Sequence, residues 1–142
     1  MKILIINGPN LNLLHKRDSN IYGNVSLEEI EKNCNEIARN LNLSINFVQS
    51  NDEGEIVAYI QKAIDDYDAI IINAAAYTHT SVAIRDAMEM FQKIKIEIHL
   101  SNIYKREEFR HKSLISNVVD GVICGFNDNS YYLALNAIKD YK

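Results

Sequence analysis

The hydrophobic residues of this chain fall into two patterns that alternate along it. Five short runs are rich in β-branched residues and almost continuously apolar, which is typical of strands buried on both faces of a sheet. The segments between these runs carry apolar residues every three or four positions, which is typical of amphipathic helices. The pattern predicts strands at residues 3–6, 44–48, 69–72, 94–98 and 122–124.

Four helices are predicted from the intervals between the strands. Ser26 is followed three residues later by Glu29, a capping-box pattern that predicts a helix start at this point. The first helix then carries an apolar stripe of Leu27, Ile30, Cys34, Ile37, Ala38 and Leu41. The other three stripes are Ile56, Ile60, Ala63, Ile64 and Tyr67; Val82, Ala83, Ala87, Met88 and Phe91; and Tyr131, Leu135 and Ile138. Between residues 100 and 116 the pattern is weaker and more charged, which predicts a short helix or an ordered loop.

Strands that alternate with helices predict an α/β fold, because parallel strands need long crossover connections. A chain of 142 residues is too short for a (β/α)8 barrel, which needs about 250 residues. We therefore expect a flavodoxin-like, doubly wound, five-stranded parallel sheet in a three-layer α/β/α arrangement. Pro9 is the only proline, and neither a linker nor an internal repeat is visible, so residues 1–142 are expected to form a single domain.

The composition excludes several classes of function. Fifteen Lys and Arg against nineteen Asp and Glu give a net charge of −4, which argues against nucleic-acid binding as the main task but allows a small basic pocket. Cys34 and Cys124 are too far apart for a metal or redox motif, and the four histidines lack metal-ligand spacing, so no metal site is expected. The apolar N-terminal run is too short for a signal sequence or a membrane span, and a cytoplasmic location is expected.

Polar residues gather where the predicted strands end, which is where doubly wound sheets bind their ligands. The first strand is followed by residues 7–12 (NGPNLN), the third by residues 73–81 (NAAAYTHTS) and the fourth by residues 97–102 (EIHLSN). The positions where a receiver domain carries acidic residues hold Asn, and a Ser/Thr-rich flavin loop, a G-x-G-x-x-G motif and a P-loop are absent. The common nucleotide-binding functions of this fold therefore lose support.

Each of these polar residues also has a purely structural interpretation. The segment after the first strand can simply be a turn without a role in catalysis, and Tyr22 can be a packing residue, as one of eight tyrosines. Arg17 can be a solvated loop charge, and His79 can flank a helix N-cap. His99 is more informative, because an imidazole at the end of an apolar strand is costly to bury without a partner. Strand periodicity places Glu97 on the same face, where it can orient the ring.

Three blocks of residues lie at these strand ends. The first comprises GPNLN at 8–12, Arg17 and YG at 22–23; the second comprises Asn73, AYTHTSVA at 76–83 and RDA at 85–87; the third comprises EIHLSN at 97–102, RE at 106–107, FR at 109–110 and Ser113. Together they resemble the type II 3-dehydroquinate dehydratase family, and residues 121–125 with the tyrosine-bearing last helix resemble the family's C-terminal end. Two positions depart from the family: His15 stands where Gly is usual, and Asp18-Ser19 stands where Glu-Pro is common.

This resemblance implies a lyase that dehydrates 3-dehydroquinate to 3-dehydroshikimate by anti elimination through an enolate. The implied context is the shikimate pathway of aromatic amino acid biosynthesis, or quinate breakdown. The expected partner is this small-molecule substrate, with neither nucleic acid nor membrane involved. The resemblance implies no cofactor, no metal and no Schiff-base lysine, in a single catalytic domain of residues 1–142. Family members assemble as homododecamers, a tetramer of trimers, and the same assembly is expected here.

By similarity, the general base is Tyr22 in its phenolate form. A free tyrosine is mostly protonated at neutral pH, and the guanidinium of Arg17, five residues earlier, is expected to favour the charged form. His99, oriented by Glu97, is the expected general acid, and Asn10 is expected to hold a water or to donate to the enolate oxygen. The residues expected to bind substrate are Asn73, His79, Asp86, Leu100, Ser101 and Arg110, with Asp86 acting across a subunit boundary.

A non-catalytic module that binds a small carboxylate on the same fold is the alternative interpretation. Such a module would share the anion-binding residues but would not need Arg17, Tyr22 and His99 together. A flavin or phospho-acceptor module would need the acidic or hydroxyl-rich loops that this sequence lacks. The joint presence of the three residues therefore favours an enzyme.

Overall fold

Five parallel strands form the central sheet of the protein, in a computed structural model that describes residues 1–141. The strands are β1 (Lys2–Asn7), β2 (Ser44–Gln49), β3 (Ala69–Asn73), β4 (Ile94–His99) and β5 (Gly121–Cys124). Their order across the sheet is β2-β1-β3-β4-β5. This is the flavodoxin-like strand order, so the predicted fold class is confirmed.

The predicted helices are present, with one additional short helix. The helices are α1 (Ser19–Tyr22), α2 (Leu27–Asn40), α3 (Glu53–Asp66), α4 (Val82–Met90) and α5 (Asn129–Asp140). The charged segment between β4 and β5, predicted as a short helix or an ordered loop, forms three short 3-10 helices. Within residues 1–141, no helix is both long enough and apolar enough to cross a membrane.

Side-chain caps set the starts of the three helices that follow β1, β2 and β3. The capping box predicted from Ser26 and Glu29 is present, with each side chain accepting a hydrogen bond from the other's backbone N–H. Asp52 and Ser81 cap α3 and α4 in the same manner, each through one side-chain oxygen. Such caps satisfy backbone donors that the first helical turn leaves free.

The core lies on both faces of the sheet because successive strand residues point to opposite faces. Ile3 and Ile5 of β1 pack on one face with α2 and α5, whereas Leu4 and Ile6 pack on the other face with α3 and α4. The three central strands are buried on both faces, as expected from their apolar runs. For β2 and β5 this expectation was wrong: both are edge strands with one neighbour each, and they stay partly exposed.

The apolar stripe predicted for α4 was also partly wrong. Val82 and Ala83, at the start of the helix, are exposed, and Val82 leaves 58% of its surface accessible. The buried face is formed instead by Ile84, Ala87 and Met88, which share one side of a helix of 3.6 residues per turn.

Two neighbouring strands end in asparagine at the carboxyl edge of the sheet, and the chain segments that follow them come close together. Asn7 and Asn73 are paired positions of β1 and β3, and the N–H of Gly8 donates to the carbonyl of Asn73 at 2.8 Å. A Cβ at Gly8 would collide with the backbone carbonyl of Ala74. The glycine of the first block is therefore required for the close approach of two chain segments beside the cleft.

Candidate active site

A cleft opens at the carboxyl ends of β1, β3 and β4. It is lined by Pro9, Asn10, Leu11, Arg17, Tyr22, Asn73, Ala75, Ala76, His79, His99, Leu100, Ser101, Ile103, Arg106 and Arg110. All of the site residues predicted from the sequence are in this set except Glu97 and Asp86. Glu97 lies behind His99, and Asp86 is exposed on α4, so the structure does not bring Asp86 into the cleft of its own chain.

Tyr22 and Arg17 are in direct contact. A terminal guanidinium nitrogen of Arg17 donates to the Tyr22 hydroxyl oxygen at 2.5 Å, and the guanidinium carbon lies 3.8 Å from the centre of the Tyr22 ring. Asp18, one of the two departures from the family pattern, caps α1 by accepting a hydrogen bond from the N–H of Asn20 at 2.9 Å. The single turn of α1 therefore places the tyrosine next to the arginine that precedes the cap.

Arg106 supplies a second guanidinium beside Tyr22, and it was not among the site residues predicted from the sequence. Its guanidinium carbon lies 5.0 Å from the Tyr22 ring centre, and one of its nitrogens donates to the Ser101 hydroxyl at 3.3 Å. Arg106 belongs to the third sequence block, so its place in that block was the available signal. The charged pattern around it predicted only a short helix or an ordered loop.

His99 and Glu97 form a buried pair. Nε2 of His99 lies 2.6 Å from Oε1 of Glu97, as the strand alternation predicted. The hydroxyls of Ser113 and Ser116 donate to the same carboxylate at 2.8 and 2.6 Å. Burial tends to raise the pKa of Glu97, but the hydrogen bonds from His99 and the two serines outweigh burial, and the pKa lies below its ordinary value. Because Nε2 is engaged, Nδ1 is the ring nitrogen left for a ligand.

His79 is held in its neutral form with a defined tautomer. Its Nδ1 lies 2.8 Å from the backbone carbonyl of Lys112, and because a carbonyl only accepts, Nδ1 carries the proton. Burial lowers the pKa of His79, and the positive charge of Arg110 lowers it further. Nε2 of His79 is therefore a hydrogen-bond acceptor at neutral pH. The ring stacks near that of His99, with centres 6.4 Å apart.

The remaining predicted residues of the cleft lie at or just after the ends of β1, β3 and β4. Asn73 is nearly buried at the end of β3, and its Oδ1 accepts a hydrogen bond from the N–H of Ala75 at 3.2 Å. Leu100 and Ser101 continue from β4 and are buried. Asn10 has a left-handed backbone with φ of 69°, and its N–H donates to the side chain of Asn51 at 3.0 Å.

The charge of the cleft differs from that of the whole protein. The residues that line it include Arg17, Arg106 and Arg110 and, within the described part of the chain, no carboxylate. Glu107 is bound to Arg110 at 2.6 Å but lies outside the lining. A chain with a net charge of −4 thus concentrates positive charge at one edge of its sheet, which suits a small anionic ligand. Within residues 1–141, no group of three or more His, Cys, Asp or Glu side chains is placed to hold a metal ion.

Comparison with known proteins gives a consistent set of relatives. Residues 1–139 match the family described as dehydroquinase class II. A 3-dehydroquinate dehydratase from Francisella philomiragia is 58% identical over 99% of this chain and 96% of its own length, and one from Prochlorococcus marinus is 51% identical over 99% of this chain and 97% of its own. The crystal structure of a type II dehydroquinase from Butyrivibrio crossotus superimposes with a TM-score of 0.96, at 45% identity over 99% of this chain and 98% of that one.

Proposed function

This chain belongs to the class II dehydroquinase family, and we propose that its cleft dehydrates 3-dehydroquinate by anti elimination through an enolate, releasing 3-dehydroshikimate. Membership makes the chain an enzyme that removes water from its substrate. The observation that carries the proposed mechanism is the contact between Arg17 and Tyr22, in the same cleft as the His99–Glu97 pair.

Tyr22 is the general base of the proposed reaction. It takes the proton from the carbon next to the substrate ketone, and the electron pair of that C–H bond moves to the ketone oxygen as an enolate. The Arg17 guanidinium donates to the phenol oxygen, and Arg106 adds a second positive charge near the ring, so two positive charges lie close to the oxygen that takes the proton.

His99 is the general acid. The enolate re-forms the ketone C=O bond, a C=C bond forms between the α and β carbons, and the C–O bond of the β-hydroxyl breaks. The hydroxyl leaves as water with a proton from His99. Glu97 accepts a hydrogen bond from Nε2–H of His99 and stabilises the protonated ring without taking its proton, as a buried carboxylate does for other catalytic histidines. Nδ1 then faces the leaving group as the donor.

The other residues of the cleft bind and orient the substrate. Asn73, with the backbone N–H groups of Leu100 and Ser101, holds the substrate carboxylate. The positive charges of the arginines that line the cleft attract the same carboxylate. His79 accepts a hydrogen bond from a ring hydroxyl through its free Nε2, and Arg110 contacts the hydroxyls from the other side. Asn10 donates to the enolate oxygen, either directly or through a water.

Assembly and pathway belong to the same proposal. Asp86 is exposed on its own chain, so its proposed role requires a neighbouring subunit, and we expect a homododecamer with sites completed at subunit boundaries. The enzyme is a single catalytic domain in the cytoplasm and serves aromatic amino acid biosynthesis or quinate breakdown. A module that only binds a carboxylate would need the arginines of the cleft but not a tyrosine hydrogen-bonded to one of them.

The direct test is to mix the purified protein with 3-dehydroquinate and follow the ultraviolet absorbance of the conjugated enone product. We expect enone absorbance to appear with the wild-type protein and essentially none with Tyr22→Phe. A protein that binds the product but never forms it would support the carboxylate-binding alternative. Treatment with borohydride in the presence of substrate should leave activity intact, and inactivation would indicate an imine mechanism instead.

A further inference from the structure

The hydroxyl of Tyr131 lies between two asparagines that end neighbouring strands. Tyr131 is on α5 and fully buried. Its hydroxyl donates to Oδ1 of Asn7 at 2.6 Å and accepts a hydrogen bond from Nδ2 of Asn73 at 3.1 Å. The sequence pattern identified Tyr131 only as a member of an apolar stripe, and the proposed mechanism makes no use of its hydroxyl.

The direction of these hydrogen bonds is fixed by a backbone carbonyl. Nδ2 of Asn7 donates to the carbonyl of Val48 at 2.9 Å, and because a carbonyl only accepts, the amide of Asn7 must turn its Oδ1 toward Tyr131. The single hydroxyl proton of Tyr131 is therefore used on Asn7. Burial raises the pKa of Tyr131 well above its ordinary value, so this proton remains in place at neutral pH.

The same logic fixes the amide of Asn73. With its proton committed to Asn7, the Tyr131 oxygen can only accept, so Asn73 must present Nδ2 to it. At the other end of the amide, Oδ1 of Asn73 accepts from the N–H of Ala75 at 3.2 Å, a group that can only donate. The hydrogen bonds at both ends of the amide therefore require the same orientation. One Nδ2 proton of Asn73 is not used by these hydrogen bonds, and Asn73 lines the cleft.

We propose that Tyr131 is a positioning residue for the dehydratase reaction: its buried hydroxyl locks the Asn73 side chain so that the cleft receives an N–H donor matched to a substrate oxygen. Without the hydroxyl only the 3.2 Å hydrogen bond from the N–H of Ala75 holds the amide, so the side chain turns more easily and presents its carbonyl oxygen, which repels a carboxylate. This inference rests on the proposed function, in which Asn73 contacts 3-dehydroquinate. It extends that function to a residue that does not touch the substrate.

The test compares Tyr131→Phe with Tyr132→Phe in steady-state assays with 3-dehydroquinate. Tyr132 is the matched control, because its hydroxyl also accepts from an asparagine, Asn33, at 3.0 Å, but neither residue lines the cleft. Losing one orienting hydrogen bond should raise KM about three- to tenfold in Tyr131→Phe, with kcat within about twofold. Tyr132→Phe should leave both constants unchanged.

A double-mutant cycle separates positioning from general destabilisation. If Tyr131 has only a structural role, Tyr131→Phe should lower the melting temperature in any background. If Tyr131 positions Asn73, the substitution should raise KM only while Asn73 is present. In the Asn73→Ala background, Tyr131→Phe should therefore add no further increase in KM. An equal increase in both backgrounds, or an unchanged KM in Tyr131→Phe alone, would overturn the inference.

A crystal structure of the wild-type protein with 3-dehydroshikimate provides a test that needs no variant. We expect Asn73 to contact an oxygen of the product while keeping its contact with the Tyr131 hydroxyl. A side chain that turns away from Tyr131 to reach the product would contradict the inference. Absence of wild-type turnover would instead contradict the proposed function, so the two failures are distinguishable.

Discussion

The two sides of the cleft are built in different ways. His99 ends a central strand, and its partner Glu97 is fully buried and receives hydrogen bonds from two serines of the segment after β4. Tyr22 and Arg17 instead lie on and beside the single turn of α1, close in sequence and in contact with each other. The proposed acid is thus fixed by contacts between distant segments, whereas the proposed base is activated by a local charge.

This difference has a consequence for mutants. On the acid side, rate and stability should change together, because the buried carboxylate serves both the histidine and the packing of the segment that carries the serines. On the base side, a change that keeps the tyrosine ring should affect the rate and leave stability almost unchanged. Single substitutions on each side test this contrast.

Tyr22→Phe should cause the largest loss of rate. It removes the oxygen that is proposed to take the proton but keeps the ring beside Arg17, so kcat should fall about 10³-fold or more. Affinity for 3-dehydroshikimate, measured by equilibrium titration, should stay within about tenfold, and the melting temperature should hardly move. Equal losses of binding and rate would point to a packing role for Tyr22.

Glu97→Gln should lower both rate and stability. The amide NH2 must face a group that donates to the carboxylate in the wild type, so kcat should fall about 10²-fold and the free energy of unfolding by about 2–3 kcal/mol. Glu108→Gln removes the same charge from an exposed position and serves as the control. A loss of rate without a loss of stability in urea unfolding would contradict the contrast between the two sides.

Ser116→Ala should give a stability loss that depends on pH. The pKa of Glu97 is lowered in the folded protein, so the carboxylate stabilises the fold above its ordinary pKa and this contribution is lost as pH falls through the folded pKa. Removing the Ser116 hydroxyl raises that folded pKa and should cost about 1 kcal/mol at neutral pH.

Urea unfolding at neutral and at acidic pH would measure this effect. The difference between Ser116→Ala and wild type should shrink once the carboxyl is protonated in both. Ser130→Ala is the matched control, since Ser130 is buried and its hydroxyl has no partner among the described residues. If Ser116→Ala lowers the free energy of unfolding by the same amount at both pH values, Glu97 is not the cause of that decrease.

His79 should produce the smallest effect, a weakening of product binding toward acid pH. Burial lowers its pKa in the folded protein, so the neutral ring persists as pH falls through about 6.5, the ordinary value, and protonates only below it. Protonation turns Nε2 from an acceptor into a donor, and affinity for 3-dehydroshikimate should fall several-fold there. His79→Ala should bind 3-dehydroshikimate more weakly at neutral pH, and its affinity should no longer fall toward acid pH. If the affinity of His79→Ala falls with pH in parallel with that of the wild type, His79 is not the source of the pH dependence.

The strands, helices and strand-end blocks could be predicted from the sequence because each depends on residues close together along the chain. The capping box at Ser26 is a local pattern, and so is the Glu97–His99 alternation. The exposure of β2 and β5 could not be predicted from their apolar content, because it depends on which strands lie at the edges. The exposed start of α4 depends in the same way on which helix face meets the sheet.

The residues that support the site were missed for a related reason. Tyr131 and Asn7 are 124 positions apart, and Ser116 and Glu97 are 19 apart, so no spacing rule connects them. Tyrosine, asparagine, serine and glutamate occur throughout the chain, so the residue type alone does not mark these positions. Their role depends on the contacts that form when the chain folds. Arg106 could be predicted in part, because it belongs to the third sequence block. Its position beside the Tyr22 ring could not be predicted from that block.

The most direct test of the central claim is an ultraviolet titration of the Tyr22 phenolate. The difference in phenolate absorbance between wild type and Tyr22→Phe would be followed as pH is raised, beside kcat/KM of the wild type over the same range. We expect the extra phenolate to appear over the same pH range in which activity rises. Full activity at a pH where the extra phenolate is absent would contradict the role of Tyr22 as the base.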